Sequence, residues 1–215
     1  MTGPRRTAAL GGGLALLALT GWIRRTHAAA GERRRALPGD ELVPSPMWQA
    51  TRAITIGARP AQVWPWLVQM GFPTHRAGWY TPAWLDRVVF GIRERSAARI
   101  VPELQALEVG DRVPDSDSGA SYFTAARVEP PHALVLLSHT HPLPMYRDVD
   151  FSWAFVATDD AGGTRLIMRA RVTYTPVWHP ALVRWIIAIA FGAGDVVQAG
   201  GMLHGIRRRA EGRTH

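Results

Sequence analysis

Thr51 to Gly71, TRAITIGARPAQVWPWLVQMG, decides the fold, because the hydrophobic period changes inside it. From Arg52 to Ile56 the pattern alternates, with Ile54 and Ile56 on one face and Thr55 on the other, as a half-buried strand requires. Gly57 and Pro60 break the strand. Beyond them Val63, Trp66, Leu67 and Met70 recur at the spacing of one helix face, and Gly71 suits a C-terminal stop. Pro65 is tolerable if the helix starts near Ala61 or Gln62, because first-turn amides lack partners in any case. A strand that hands over at once to an amphipathic helix is the feature against which the rest of the chain is placed.

Downstream, His75 to Asp86, HRAGWYTPAWLD, is dense in aromatics and reads as a loop and short helix, with Thr81 able to cap and Pro82 at the first helical position. Short extended pieces are expected at Ile100 to Leu104 and Gly110 to Pro114, and a turn at Asp115 to Gly119. Clearer strands follow at Tyr122 to Val128, Ala133 to Ser138 and Asp150 to Thr158. Asp160-Ala161-Gly162-Gly163 then turns the chain into Thr164 to Thr175. In that last strand Leu166, Met168, Ala170 and Val172 alternate with Arg165, Arg169, Arg171 and Thr173, so one face is apolar and the other arginine-rich. After Pro176 the period is helical. An apolar block from Pro180 to Phe191 precedes a Gly192–Gly194 break, and a second piece runs from about Asp195, a plausible cap, to Glu211. Arg207 to Arg209 complement its dipole.

The 215 residues are 47% hydrophobic and contain no cysteine, which excludes disulfides, thiolate metal sites and cysteine nucleophiles. All 25 basic residues are arginine, and the net charge is +8. That charge is not on the central part of the chain. Residues 1–39 carry seven Arg and one Glu, residues 207–215 four Arg and one Glu, and residues 40–206 are near neutral at −1. A nucleic-acid groove wants a basic stripe on the folded domain, so no nucleic-acid partner is expected. Basic tails beside an apolar segment fit an anionic membrane better.

Ala8 to Ile23 is that segment, 16 residues without charge between Arg5-Arg6 and Arg24-Arg25. It is short against the roughly 20 residues a span normally needs. An uncleaved membrane anchor is the leading expectation, and a cleaved export signal or a soluble arm are the alternatives. The heavier positive flank on its C-terminal side leaves the domain in the cytoplasm; export is the alternative location. Glu32 to Arg35 and Leu37 to Asp40 read as a solvated linker. The expected division is an anchor or signal segment with linker at 1–36, a folded domain at 37–211 and a tail at 212–215.

One strand, a helix or two, a run of antiparallel strands and a closing helix is the order of the helix-grip fold, an α+β arrangement in which a curved antiparallel sheet wraps a long C-terminal helix. The phrases LPGDELVPSP (37–46), TRAITIGARPAQVWPWLVQMG (51–71), RAGWYTPAWLD (76–86), RIVPELQALEVGDRVP (99–114), SWAF (152–155) and GIRRRAE (205–211) carry a resemblance to the SRPBCC, or START-like, superfamily. The chain is similar over about residues 37–211 to a bacterial branch often described as polyketide cyclase or dehydrase-like. The resemblance implies a helix-grip domain with an internal cavity, and the family's best-known members bind lipids, sterols, plant hormones or polyketide intermediates there. The chain departs from the branch pattern in the block 180–191.

Trp66, Gln69, Trp79, Tyr80, Trp84 and Trp153 are the candidate ligand-binding residues, since small-molecule cavities have aromatic walls with a few polar groups. Core packing is the competing reading for each. Arg76, Tyr80 and Asp86 are the candidate proton-moving groups if the cavity catalyses a cyclisation. Arg76 and Asp86, with Glu103 and Asp111, are as readily structural ion pairs. His139 and His141, two residues apart, could share a metal with Asp148 or Asp150, but Pro142 and Pro144 make this a loop and no metal is expected. No phosphate loop, nucleophile motif or HExxH motif is present, and no cofactor is implied. The block 180–191 is either buried against the sheet or an interfacial helix.

The sequence thus favours binding of a hydrophobic small molecule, such as a lipid, isoprenoid or polyketide-like compound, in a cavity of a membrane-tethered domain. A cyclase or aromatase-type enzyme using the same cavity is the alternative. A structural partner of a membrane complex, its cavity filled by side chains, is the third.

Overall fold

The computed structural model describes residues 26–89, 91–140, 146–176 and 181–213. Its elements are α1 (Ala30–Arg34), β1 (Trp48–Ile56), α2 (Pro60–Val68), α3 (Ala83–Val89), β2 (Arg112–Pro114), β3 (Tyr122–Glu129), β4 (Ala133–Ser138), β5 (Tyr146–Asp160), β6 (Gly163–Pro176) and α4 (Ala181–Ala210). The strands form one antiparallel sheet in the order β1-β6-β5-β4-β3-β2. The first strand therefore closes against the last. β5 and β6 meet through Ala161 and Gly162, both at positive φ (44° and 85°), the backbone that a two-residue hairpin matched to strand twist requires. With the long C-terminal helix α4 against this curved sheet, the fold is a helix grip, as the order of periods implies.

Strand alternation divides the apolar residues between two faces. The inner face carries Ile54 and Ile56 of β1, Phe123 of β3, Leu134 and Leu136 of β4, Trp153 and Phe155 of β5, and Leu166 and Met168 of β6. Against it pack Val63, Trp66 and Leu67 of α2 and Ala199, Met202, Leu203 and Ile206 of α4. Glu211 Oε1 accepts the Gly57 amide at 2.7 Å, which pins the end of α4 beside the end of β1.

The outer face is covered by the N-terminal segment, and the arginines of β6 hold it there. Ala28 and Leu37 close over Ala53, Val156 and Ile167. Arg169, 2% exposed, uses all five of its guanidinium N–H donors: Nε to Thr51 Oγ1 (3.0 Å), Nη1 to Arg35 O (2.9 Å) and Asp40 Oδ2 (2.6 Å), Nη2 to Glu32 O (2.9 Å) and Arg33 O (3.1 Å). Arg165 grips the Glu32 carboxylate with two bonds, at 2.7 and 2.9 Å. Arg171 donates to Val43 O (2.9 Å) and Pro44 O (3.1 Å) and lies 3.1 Å from Asp40 Oδ1.

Several expectations are corrected. Glu32 to Arg35 is not a solvated linker: residues 30–34 form α1, and the packed chain includes residues from Thr26 onward. The Gly192–Gly194 break does not occur, since α4 is continuous across it. Pro65 lies inside α2, beyond the first turn, because the helix starts at Pro60. Pro102–Leu104 is a 3-10 turn, not an extended piece. Ala8 to Ile23 and His141 lie outside the described residues, as do the side chains of the block 180–191. Among the described residues no helix is long and apolar enough to cross a membrane.

Replacing Arg169 by Leu strands buried carbonyls and the Asp40 carboxylate, a change that typically costs on the order of 3–5 kcal/mol. Urea denaturation should show that loss, with protease cleavage between residues 26 and 44 at denaturant levels the parent chain resists. The Arg165 hydrogen bonds hold the Glu32 carboxyl below its ordinary value, with burial opposing in part. Its contribution is therefore full above the usual glutamate range, about pH 4.3, and is lost as pH falls through the depressed value. The stability gap between the parent and Glu32→Gln, followed by urea melts, should be constant near neutrality and shrink in acid.

Candidate functional site

The period of two along β5 places Phe151, Trp153 and Phe155 on the inner face, in the phrase FSWAF. Trp153 is the centre of the group. Its ring stacks on Phe151 (centroids 5.6 Å apart, planes at 29°) and lies 5.4 Å from Phe155, 5.9 Å from Phe123 and 5.4 Å from Trp79. Trp79 also meets Phe123 edge to face at 5.9 Å. Trp153 is buried, yet among the described residues its indole Nε1–H has no hydrogen-bond partner. A buried indole N–H normally finds one, and leaving it unmade costs about 1–3 kcal/mol.

Trp66, Gln69 and Tyr80 form a second group with a different character. Gln69, fully buried at the C-terminus of α2, donates from Nε2 to Tyr80 Oη (2.9 Å) and Arg99 O (3.2 Å). Its Oε1 accepts from the Val101 amide (2.9 Å) and from Gln105 Nε2 (3.1 Å). The side chain is thus satisfied at both ends and stitches the 99–105 segment to α2. Tyr80 has φ 60°, unusual for a side chain of that size. Its amide donates to Ser96 Oγ (3.0 Å), Trp66 meets its ring edge to face at 6.1 Å, and the Arg209 guanidinium covers the ring at 4.5 Å. Burial pushes its hydroxyl far above the ordinary tyrosine value, outweighing the Gln69 hydrogen bond and the nearby Arg209 and Arg76 charges. Gly205 of α4 lies so close that a Cβ would overlap the Tyr80 carbonyl oxygen.

The remaining candidates are dispersed. Trp84 stands 58% exposed on α3 and does not join either group. Arg76 turns back to α2, donating from Nε to Met70 O (2.7 Å) and from Nη2 to Val68 O (2.5 Å), so it caps carbonyls that the helix end leaves open. Asp86 is buried and accepts the Thr81 hydroxyl; burial raises its carboxyl above the ordinary value, with that hydrogen bond opposing. Asp111 accepts the Glu108 amide at 2.8 Å. His139 pairs with Asp150 at 2.6 Å in an exposed position. Among the described residues no group of three or more His, Asp or Glu is placed to hold a metal. Phe123, Phe151 and Phe155 were not among the sequence candidates. The alternation that singles out Trp153 also selects Phe151 and Phe155, so their signal was present.

No family model matches the chain, and no curated protein does. Solved structures that align with it include the protein MLL2253 of Mesorhizobium loti, at 17% identity over 75% of this chain and 96% of its own, with a TM-score of 0.43. The protein Ms6760 of Mycobacterium smegmatis aligns at 16% identity over 74% of this chain and 88% of its own, with a TM-score of 0.42. The polyketide cyclase-like protein Cgl2372 of Corynebacterium glutamicum aligns at 14% over 74% and 89%, also with a TM-score of 0.42.

Gly205→Ala should destabilise the protein, although alanine normally improves a helix interior by about 1 kcal/mol. The overlap with Tyr80 forces α4 outward, and overpacking of this kind costs on the order of 1–3 kcal/mol; thermal melts give the sign directly. Asp86→Asn keeps an acceptor for Thr81 and removes a buried charge. Its melting temperature at neutral pH should equal or exceed that of the parent. Because ionisation of a carboxyl with a raised value opposes folding, the advantage should fade as pH falls through that value.

Proposed function

We propose that the chain binds a hydrophobic small molecule carrying a hydrogen-bond acceptor, lodged between the aromatic inner face of β3 and β5 and helix α4. The observation that carries this reading is Trp153: a buried donor without a partner among the described residues, ringed by Trp79, Phe123, Phe151 and Phe155. Aromatic walls with one or two placed polar groups are the usual composition of a small-molecule site. The placement of α4 also supports it. Among the described residues the helix packs chiefly on β1 and α2, whereas Phe123, Phe151, Trp153 and Phe155 stand on β3 and β5. An apolar ligand such as a lipid, isoprenoid or polyketide-like compound fits these walls, and a carbonyl or hydroxyl oxygen on it would accept from Trp153 Nε1.

The same reading holds the domain at a membrane on the cytoplasmic side through Ala8 to Ile23, supported by the uncharged run and its arginine flanks. A cyclase or aromatase-type reaction has less support. Of its three candidate proton carriers, Arg76 caps α2, Asp86 is held by Thr81, and the Tyr80 hydroxyl sits in a buried knot that raises its pKa far from working pH.

Full-length protein, gently extracted from its own host and analysed by mass spectrometry of released small molecules, should yield a discrete apolar species. Trp153→Phe keeps the ring and removes the donor, so retention of that species should fall by about 5–30-fold, one hydrogen bond's worth. Trp79→Ala should release it altogether. If the parent chain and both variants carry the same bulk membrane lipid, the binding reading fails.

A further inference from the structure

Trp84 and Val88 are four residues apart on α3, hence neighbours on one helix face. They are 58% and 77% exposed, while Leu85 and Asp86, between them in the sequence, are buried. The chain leaving α3 is tied back to it. The Ile92 amide donates to Asp86 O (2.9 Å), and Ser96 Oγ accepts from the Tyr80 amide (3.0 Å). Between these ties lie Arg93 and Arg95, both exposed, with exposed Arg87 on the helix itself and Arg99 just beyond. Within residues 83–99 the one exposed carboxylate is Glu94, because Asp86 is buried and bonded to Thr81. This local positive charge stands on a central region, 40–206, that is near neutral as a whole.

We infer that this surface docks the domain onto an anionic lipid bilayer, with Trp84 and Val88 entering the headgroup–acyl boundary and Arg87, Arg93 and Arg95 meeting lipid phosphates. Among the described residues, two apolar side chains on a short helix are too little for the core of a stable protein interface, which buries about 800 Å² per partner. They suit insertion, because tryptophan is favoured where one end of a side chain is apolar and the other wet, and arginine stems reach from apolar surface to phosphate. The inference does not depend on residues 8–23. It has a consequence for the proposed site: Trp79, which packs on Trp153, precedes Trp84 by five residues, so docking brings the site's own loop to the source of an apolar ligand.

The chain has no cysteine, so a single introduced thiol can be labelled in the full-length protein. A nitroxide at Val88→Cys is compared with one at Gln49→Cys, an exposed position on the outer face of β1. Both are mixed with vesicles of phosphatidylcholine, with and without phosphatidylglycerol. With phosphatidylglycerol the Val88 label should gain accessibility to oxygen and lose it to a water-soluble nickel complex, while the Gln49 label stays aqueous. Arg93→Ala should weaken binding to the anionic vesicles by about fivefold, and Trp84→Ala should weaken it as well; high salt should weaken the anionic component. Sedimentation with neutral vesicles reads the 8–23 tether separately. A Val88 label that remains aqueous on vesicle-bound protein overturns the inference, as does a label immobilised before any lipid is added, which would mark a protein contact.

Discussion

The Arg169 guanidinium, buried with all five donors engaged, sets the terms for the rest of the structure. A sheet of six strands has two faces to cover, and this chain covers them with different parts of itself. Helices α2 and α4 lie on the inner face, and residues 26–44, α1 included, lie on the outer one. What holds that outer segment is mainly backbone carbonyls and two acids meeting a row of arginines, not a large apolar area. Its apolar contacts include the small cluster of Ala28 and Leu37 with Ala53, Val156 and Ile167, while the charge-assisted bonds carry the specificity. With the outer face closed in this way, the inner face can devote one region to aliphatic packing under α4 and another to aromatic rings.

Polar groups on the inner side divide into two kinds. Gln69, Tyr80, Arg76 and Arg209 bond to one another or to backbone and position α2, the 99–105 segment and α4. Their chemistry is consumed by architecture. The positive φ of Tyr80 belongs to the same set, since strain of that sort persists when the surroundings over-determine it. Trp153 differs because its donor is spent on nothing among the described residues.

Period was legible in the sequence, and partnership was not. The alternation of β6 was visible at once, and it correctly split Leu166 and Met168 from Arg165 and Arg169. That those arginines reach Glu32 and Asp40, well over a hundred residues away, is not a local property. A run such as Glu32 to Arg35 has the same composition whether water or a guanidinium satisfies it, so it reads as linker. Trp79 and Trp84 look alike in a loop rich in aromatics, but the start of α3 between them turns one inward and the other out. Gly192 and Gly194 suggested a break because glycine weakens an isolated helix; α4 nevertheless runs on across them into the packed turns of Ala199, Met202, Leu203 and Ile206. Gln69 was noticed for its polarity in an apolar setting, and its four bonds show why the setting tolerates it.

The arginine clamp also bears on how the domain behaves outside its natural chain. A fragment cut at Leu37, where composition alone would place the boundary, loses α1, three of the five acceptors of Arg169 and the Arg165 partner Glu32 together. It would present Ala53, Val156 and Ile167 to solvent beside uncompensated guanidinium groups. Such a surface is sticky and cationic at once, a combination that invites self-association and adventitious polyanions. Solubility of the fragment, and any nucleic acid that co-purified with it, would report on the missing strap and not on the protein's own partners.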